Sequence, residues 1–499
     1  MQSLKMLRVR ATRIAILIAI LFLVPAIAWT GSLYLESSWN SDLRKLLSEQ
    51  GELSRQTIDE KISSLPRKCE QGSLLDQANF TDALCGDLRQ IRAIRFASAL
   101  TAALGVALIA VVFLARAIAS NNRHRLSLVF SPLLRVLFFF LGTSVIGQGV
   151  SLVYVAYAVE VTAFRLVHGG SLLIISFGAI AGCATLLKSA VGVFRIKPLL
   201  VSALRLDPQG AEGIFQLASA TAQRVKSPVP DNIIVCLEPQ FFVTKIPVKL
   251  TAERDMVLTG TTLCLSLAML HVFSRKELAA VIGHELGHFR NEDLEYSVKF
   301  QPIYARLSSS LNDLELAGGL ETIAVLPAAA VLGVCLSQFA QAERAISRER
   351  ELAADRVGVE ATGATAMAAS LLKLALYSFA WLQVTASHLT RDKQSRVITE
   401  RFGEAFKDAS KNLFSQIAWR QVWPQLLAFM TPHPIDSHPP LRTRLKAIQV
   451  EVGDDDVSLV EPAEDGAVSL IQDAAEYDKR LTAEEKESLR FRSFAASRR

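Results

Sequence analysis

Several features are scarce in this chain, and each scarcity removes a class of function. No two of the 6 cysteines form a C-x-x-C pair, so a cysteine zinc knuckle is excluded. No basic stripe with interleaved aromatics accompanies the net charge of +6, which argues against a nucleic-acid partner. No acidic residue precedes Glu36, whereas Lys5, Arg8, Arg10 and Arg13 crowd the N-terminus. Histidine occurs only 8 times in 499 residues, so any close pair stands out.

What is abundant is apolar sequence, 51% of the chain, with a mean hydropathy of +0.30. It gathers in runs at 14–35, 96–115, 136–159 and 169–187. Each run is long enough to cross a hydrocarbon core of about 30 Å as a helix. The first reads as an uncleaved signal anchor. Arg116 and "NNRHR" follow the second run, and Lys188, Arg195 and Lys197 follow the fourth. Basic residues mark cytoplasmic flanks, so the N-terminus and everything after residue 198 are expected in the cytoplasm. The polar segment 36–92 then forms an external loop, where Cys69 and Cys85 can pair in an oxidising compartment. Cys183, Cys236, Cys264 and Cys335 read as small buried hydrophobes. The spans carry few ionisable groups, which disfavours a transporter.

From residue 199 to 450 the pattern is that of a soluble α+β domain. Strands are expected at 232–237, 241–250 and 254–260. Ser274 to Arg290 reads as a helix, with Ser274 as N-cap and Glu277 completing a capping box. Residues 451–499 are charged and read as a flexible or loosely helical tail.

The helix contains "HELGH". His284 and His288, one turn apart on one face, are placed to bind one metal ion, and Glu285 lies at the rim of that face. Imidazole ligands suit zinc, which can lower the pKa of a bound water towards about 7, with a glutamate taking its proton. Gly283 and Gly287 cost helix propensity of about 1 kcal/mol each, which a close packing role would offset. A third histidine ligand is excluded, because Asn291 and Leu294 stand where H-x-x-G-x-x-H would need them. A glutamate in an E-x-x-x-D pair is the other option. Glu451 and Glu461 are set aside, since Gly453 or Pro462 interrupts the helix. Glu351 and Glu404 remain. Glu351 is preferred, because Ala353 and Ala354 allow another helix to approach and Asp355 can fix a ligand tautomer. His271 and His388 have no motif around them.

"HELGHFRNEDL", "SRERELAAD" and "SHPPLRTRLKAI", in that order, resemble the signatures of the HtpX-type and CAAX-prenyl-endopeptidase-type membrane zinc metallopeptidases, the gluzincin kind. The resemblance covers roughly residues 200–450. It implies Zn2+ held by His284, His288 and Glu351, Glu285 as catalytic glutamate, Asp355 behind the ligands and a structural Asp293. It implies His438 as an oxyanion donor, with His433 a weaker candidate. The family's upstream Asn-Ala-Phe strand is replaced by "EPQFFVTK", without asparagine.

The three ligands must lie on one side of the bilayer. The apolar run 323–340, which falls between them, is therefore expected not to cross, but to be buried, re-entrant or laid on the membrane face. The expected architecture is mainly α with a small β-sheet: a zincin-like α+β peptidase domain attached to an N-terminal bundle of four transmembrane helices. The implied protein is an integral protein of a bacterial inner membrane, with peptide or membrane-protein substrates and the lipid bilayer as partners. The alternative is a catalytically silent zinc-binding scaffold or sensor.

Overall fold

The structure is a computed structural model. It describes residues 2–49, 54–71, 78–119, 123–161, 167–194, 198–253, 256–290, 303, 306–307, 320–393, 400–428, 439–453 and 455–496. The chain forms two compact units. One comprises Met1–Ser120, Leu128–Phe194 and Ile303–Ala340; the other comprises Asn121–Ser127, Arg195–Pro302 and Gln341–Arg499.

The first unit is helical: α1 (Gln2–Glu49), α2 (Arg55–Gln71), α3 (Ala78–Ala119), α4 (Arg123–Val159) and α5 (Gly169–Phe194). Stretches of three of these helices are long and apolar enough to cross a membrane: Cys85–Leu114, Leu128–Val159 and Gly169–Val193. They contain the runs expected at 136–159 and 169–187 whole, and the run expected at 96–115 except Ala115. The run at 14–35 lies within α1. Small residues bring the helices close. A Cβ on Gly147 of α4 would meet Thr101 Oγ1 of α3 at 2.6 Å, and one on Gly149 would meet Ala179 of α5 at 2.5 Å.

Segment 36–92, expected as a loop, contains long helical stretches. It holds the end of α1, all of α2 and the start of α3. Leu43, Ile58 and Ile62 are buried there, with Trp39, Leu47 and Leu65 against them. These apolar residues recur at helical spacing inside a polar composition, and that spacing decides the outcome. The Cys69–Cys85 disulfide joins α2 to α3 beside Leu88.

The second unit contains two sheets. The larger has the order β2-β3-β7-β4, with β2 Ala203–Arg205, β3 Asn232–Cys236, β4 Phe242–Thr244 and β7 Thr262–Ser266. The smaller has the order β1-β5-β6, with β1 Leu199–Val201, β5 Val248–Leu250 and β6 Val257–Leu258. One face of the larger sheet (Leu204, Ile233, Val235, Leu263, Leu265) joins the helical core. Its other face (Ala203, Ile234, Cys236, Cys264) packs with Val201, Val248, Leu250 and Leu258 of the smaller sheet. Strands buried on both faces read as continuous apolar runs, as β3 does.

The single strand expected at 241–250 is two strands in different sheets, because Pro247 precedes β5 and cannot donate to a ladder. The expected 254–260 strand is only the two-residue β6.

The helices of this unit are α6 (Glu212–Arg224), α7 (Leu267–Leu270), α8 (Arg275–Gly287), the second half of α9 (Leu320–Thr362), α10 (Ala364–Lys393), α11 (Phe402–Gln416), α12 (Trp419–Ala428), α13 (Leu441–Ala447) and α14 (Ala474–Ala496). Ala364–Ser387 of α10 also has the length and hydropathy of a span, but 67% of its most apolar window is buried within the protein. A helix packed on most sides is apolar on most sides, and α10 is a core helix.

Residues 323–340 belong to α9, which runs from Leu320 to Thr362 and carries Glu351 further along. Val331, Leu332 and Cys335 are buried, and the helix runs through the segment without a re-entrant turn.

Residues 455–496, read in the sequence as a loose tail, are packed into the second unit. Val460, Ala467, Ile471, Leu481 and Leu489 join its core. Asp478 accepts the backbone N–H groups of Gly403 at 2.9 Å and Glu404 at 3.2 Å, capping α11 from α14. The Ala463 and Ala467 N–H groups bond to the Val272 and Phe273 carbonyls, just ahead of α8.

Candidate metal centre

The capping box starts α8. Glu277 N–H donates to Ser274 Oγ at 3.3 Å, and Ser274 N–H donates to Glu277 Oε2 at 2.8 Å. Lys373 of α10 donates to the same Glu277 oxygen at 2.9 Å, fixing this end of α8 to the core. From Glu277 to Gly287 every residue is buried. The helix ends with His288 as C-cap, short of the expected Arg290.

The two glycines set how closely α8 meets α9. A Cβ on Gly283 would lie 2.6 Å from Ala361 Cβ, and one on Gly287 would lie 3.1 Å from Ala354 Cα. Larger residues at either site would force the helices apart. This contact brings Glu351 opposite the histidines. His284 Nε2 is 3.7 Å and His288 Nε2 is 3.4 Å from the two Glu351 oxygens. Tetrahedral ligands at zinc bond lengths stand about 3.3 Å apart, so the spacing suits one ion. Among the described residues, His284, His288 and Glu351 are the group that could hold a metal. Glu404 is not in it; its backbone N–H joins the Asp478 cap on α11.

Asp355, one turn past Glu351, is fully buried, with Oδ1 2.9 Å from His284 Nδ1. A bond there leaves the His284 Nε2 lone pair facing Glu351, the tautomer a metal ligand needs. Arg444 of α13 completes the cluster. It donates Nε to Asp355 Oδ2 at 2.9 Å and Nη2 to Oδ1 at 2.6 Å, and Nη2 lies 3.6 Å from Glu351. Arg444 lies within "SHPPLRTRLKAI", but its spacing from Pro440 carries no signal of a buried partner on α9.

The two flanking carboxyls are tuned in opposite directions. Burial first, then the Glu351 charge, pushes Glu285 well above the usual carboxylate range, against Arg444 and the Val243 backbone N–H. Burial also acts to raise Asp355, but the bonded Arg444 and then His284 outweigh it and hold Asp355 down at about 2. Glu285 is thus built to hold a proton and Asp355 to remain an anion. Three buried carboxylates (Glu285, Glu351, Asp355) face one buried guanidinium. With Glu285 protonated and the histidines neutral, Glu351 and Asp355 against Arg444 leave one excess negative charge, costly in a buried site and offset by a bound cation.

The site lies beside β4, the end strand of the larger sheet. The Val243 backbone N–H of β4 donates to Glu285. Asp293, His433 and His438 lie outside the described residues. His388 lies on α10. His271 is buried near α11, apart from the histidine pair.

Residues 255–452 match peptidase family M48. An HtpX protease homologue from Archaeoglobus fulgidus is 29% identical over 269 residues, covering 52% of this chain and 72% of the relative. One from Pyrobaculum aerophilum is 30% identical, covering 38% of this chain and 56% of the relative. One from Streptococcus thermophilus is 25% identical, covering 48% and 79%. No solved structure matches the chain. The ordered motifs, the histidine–glutamate cluster and these relatives agree: residues 255–452 match peptidase family M48, and the chain is similar to its HtpX-type members.

Proposed function

We propose that the protein is a membrane-anchored, zinc-dependent endopeptidase acting on membrane-associated polypeptides in quality control or processing. The observation that carries this reading is the group His284, His288 and Glu351, whose ligand atoms all lie within 4.8 Å of one another. His284 and His288 would hold zinc through Nε2 and Glu351 through a carboxylate oxygen. Bound there, the ion supplies Lewis acidity and a lowered pKa for water.

The chain's own groups do the rest. Asp355 keeps the His284 tautomer, and Arg444 keeps Asp355 ionised and in place. Glu285 accepts the proton of the attacking water and passes it to the leaving amine, a shuttle suited to its raised proton affinity. The outer edge of β4, unpaired among the described residues, accepts an extended substrate by backbone pairing, which needs no asparagine side chain. His438 is the proposed donor to the developing oxyanion. The Lys/Arg flanks of the spans support a cytoplasmic site on an inner membrane.

The test compares wild type with Glu285→Gln on a membrane-protein substrate in vesicles. Retained metal with cleavage reduced by about three orders of magnitude or more supports the reading. Equal cleavage removes Glu285 as the base, and zinc without turnover in wild type supports the silent scaffold.

A further inference from the structure

The smaller sheet has an outer face that does not fit an ordinary water-facing surface. Its inner residues, Val201, Val248, Leu250 and Leu258, are buried in the core. Alternation turns the intervening residues outward. Leu200 pairs with Lys249, and Lys249 with Val257, so these three form one row across β1, β5 and β6. Leu200 is 66% exposed and Val257 47%, and Met256 at the start of β6 is 39% exposed. A solvated sheet face would carry polar residues at such positions.

We infer that this face, Leu200, Val257 and Met256 around Lys249, rests in the headgroup region of the lipid bilayer. Covalent connection supports lipid as the occupant. β1 begins at Leu199, five residues after α5 ends at Phe194. Five extended residues reach at most about 17 Å, so β1 starts close to where the apolar helix leaves the hydrocarbon. The link contains Arg195 and Lys197, and Lys245 is exposed just ahead of β5. Basic groups around a small apolar face match an anionic headgroup layer. Three apolar side chains are too few for a protein interface of standard size, about 800 Å² per partner.

The consequence concerns the site. Only Lys245-Ile246-Pro247 separates β4 from β5, so the strand beside α8 is tied to the lipid-resting sheet. Polypeptide emerging from the bilayer surface would then reach β4 first. The inference rests on α5 crossing the bilayer, and its test does not depend on peptidase activity.

The experiment uses the full-length protein carrying Cys183→Ser, reconstituted in phosphatidylethanolamine–phosphatidylglycerol vesicles. Nitroxides are attached at Leu200→Cys, Val257→Cys and, as an exposed reference on α14, Lys479→Cys. Collision with oxygen, which concentrates in lipid, is compared with collision with a water-soluble nickel chelate. Oxygen should dominate at 200 and 257, and nickel at 479. Nickel dominating at all three positions would overturn the inference. Spin–spin broadening at 200 and 257 would also overturn it, assigning the face to a second copy of the chain.

Discussion

Arg444 and Asp355, 89 residues apart in the chain, are joined by two parallel hydrogen bonds, 2.9 Å and 2.6 Å. The pair is buried, and Asp355 touches a proposed ligand, so its loss reaches the metal. Arg444→Met should weaken zinc binding about 10- to 100-fold, as loss of a group behind a ligand usually does. It should also cost about 3–5 kcal/mol, because it strands buried carboxylates. Arg444→Lys should recover only part, since a lysine cannot make the paired bonds. Zinc competition with a chelator and thermal melting read both effects. Unchanged affinity in Arg444→Met would remove Arg444 from the site.

Gly283→Ala tests the helix contact. Alanine normally gains about 1 kcal/mol over glycine within a helix. Here its Cβ would stand 2.6 Å from Ala361 Cβ, which forces α8 and α9 apart. The variant should melt lower, by a net cost of about 1–3 kcal/mol, and should bind zinc less tightly. A higher melting temperature would show that the close contact is absent.

The C-terminal segment should prove part of the peptidase unit. Asp478→Ala removes the acceptors of two helix N–H groups, worth about 1–2 kcal/mol. Removal of residues 455–499 strips Val460, Ala467 and Ile471 from the core and should leave an aggregating protein. Limited proteolysis and melting temperature check both. A truncated chain as stable as the whole would mean that the tail is an appendage.

His271 gives a pH dependence. Burial is the main cause that pushes it down to about 4, partly opposed by Glu404. Unfolded histidine titrates near 6.5, so between those values the unfolded chain binds a proton that the folded one refuses. Stability therefore falls as pH drops from about 6.5 to 4, by up to about 3 kcal/mol from this group. Asp478 and Glu285, both raised first by burial, act in the opposite sense, so the His271 part is read from the difference between wild type and variant. Melting in chelator at about pH 7 and pH 5 should show wild type losing more stability, or gaining less, on acidification than His271→Gln. An identical loss in the variant would acquit His271.

The centre was largely legible because its key part is local. Two histidines one turn apart with a glutamate between them need only a helix, and Ser274 with Glu277 marked its start. Glu351 separated from Glu404 through the small residues that α8 then met. Arg444 was not legible, because a buried arginine declares itself only beside its partner, and Asp355 is remote in sequence. The tail was misjudged on composition: its charges dominate the average, while Asp478, Leu481, Thr482, Glu485 and Leu489 fall on one buried helical face. β7 escaped because Thr262–Ser266 runs into Leu267–Leu270 as one apolar stretch, with no turn residue to mark the change.

The most direct measurement is zinc per chain by mass spectrometry of wild type, Glu285→Gln and Glu351→Ala, purified alike. The account predicts a single zinc ion in the first two and little in the third. A Glu351→Ala protein that keeps its full zinc would contradict it.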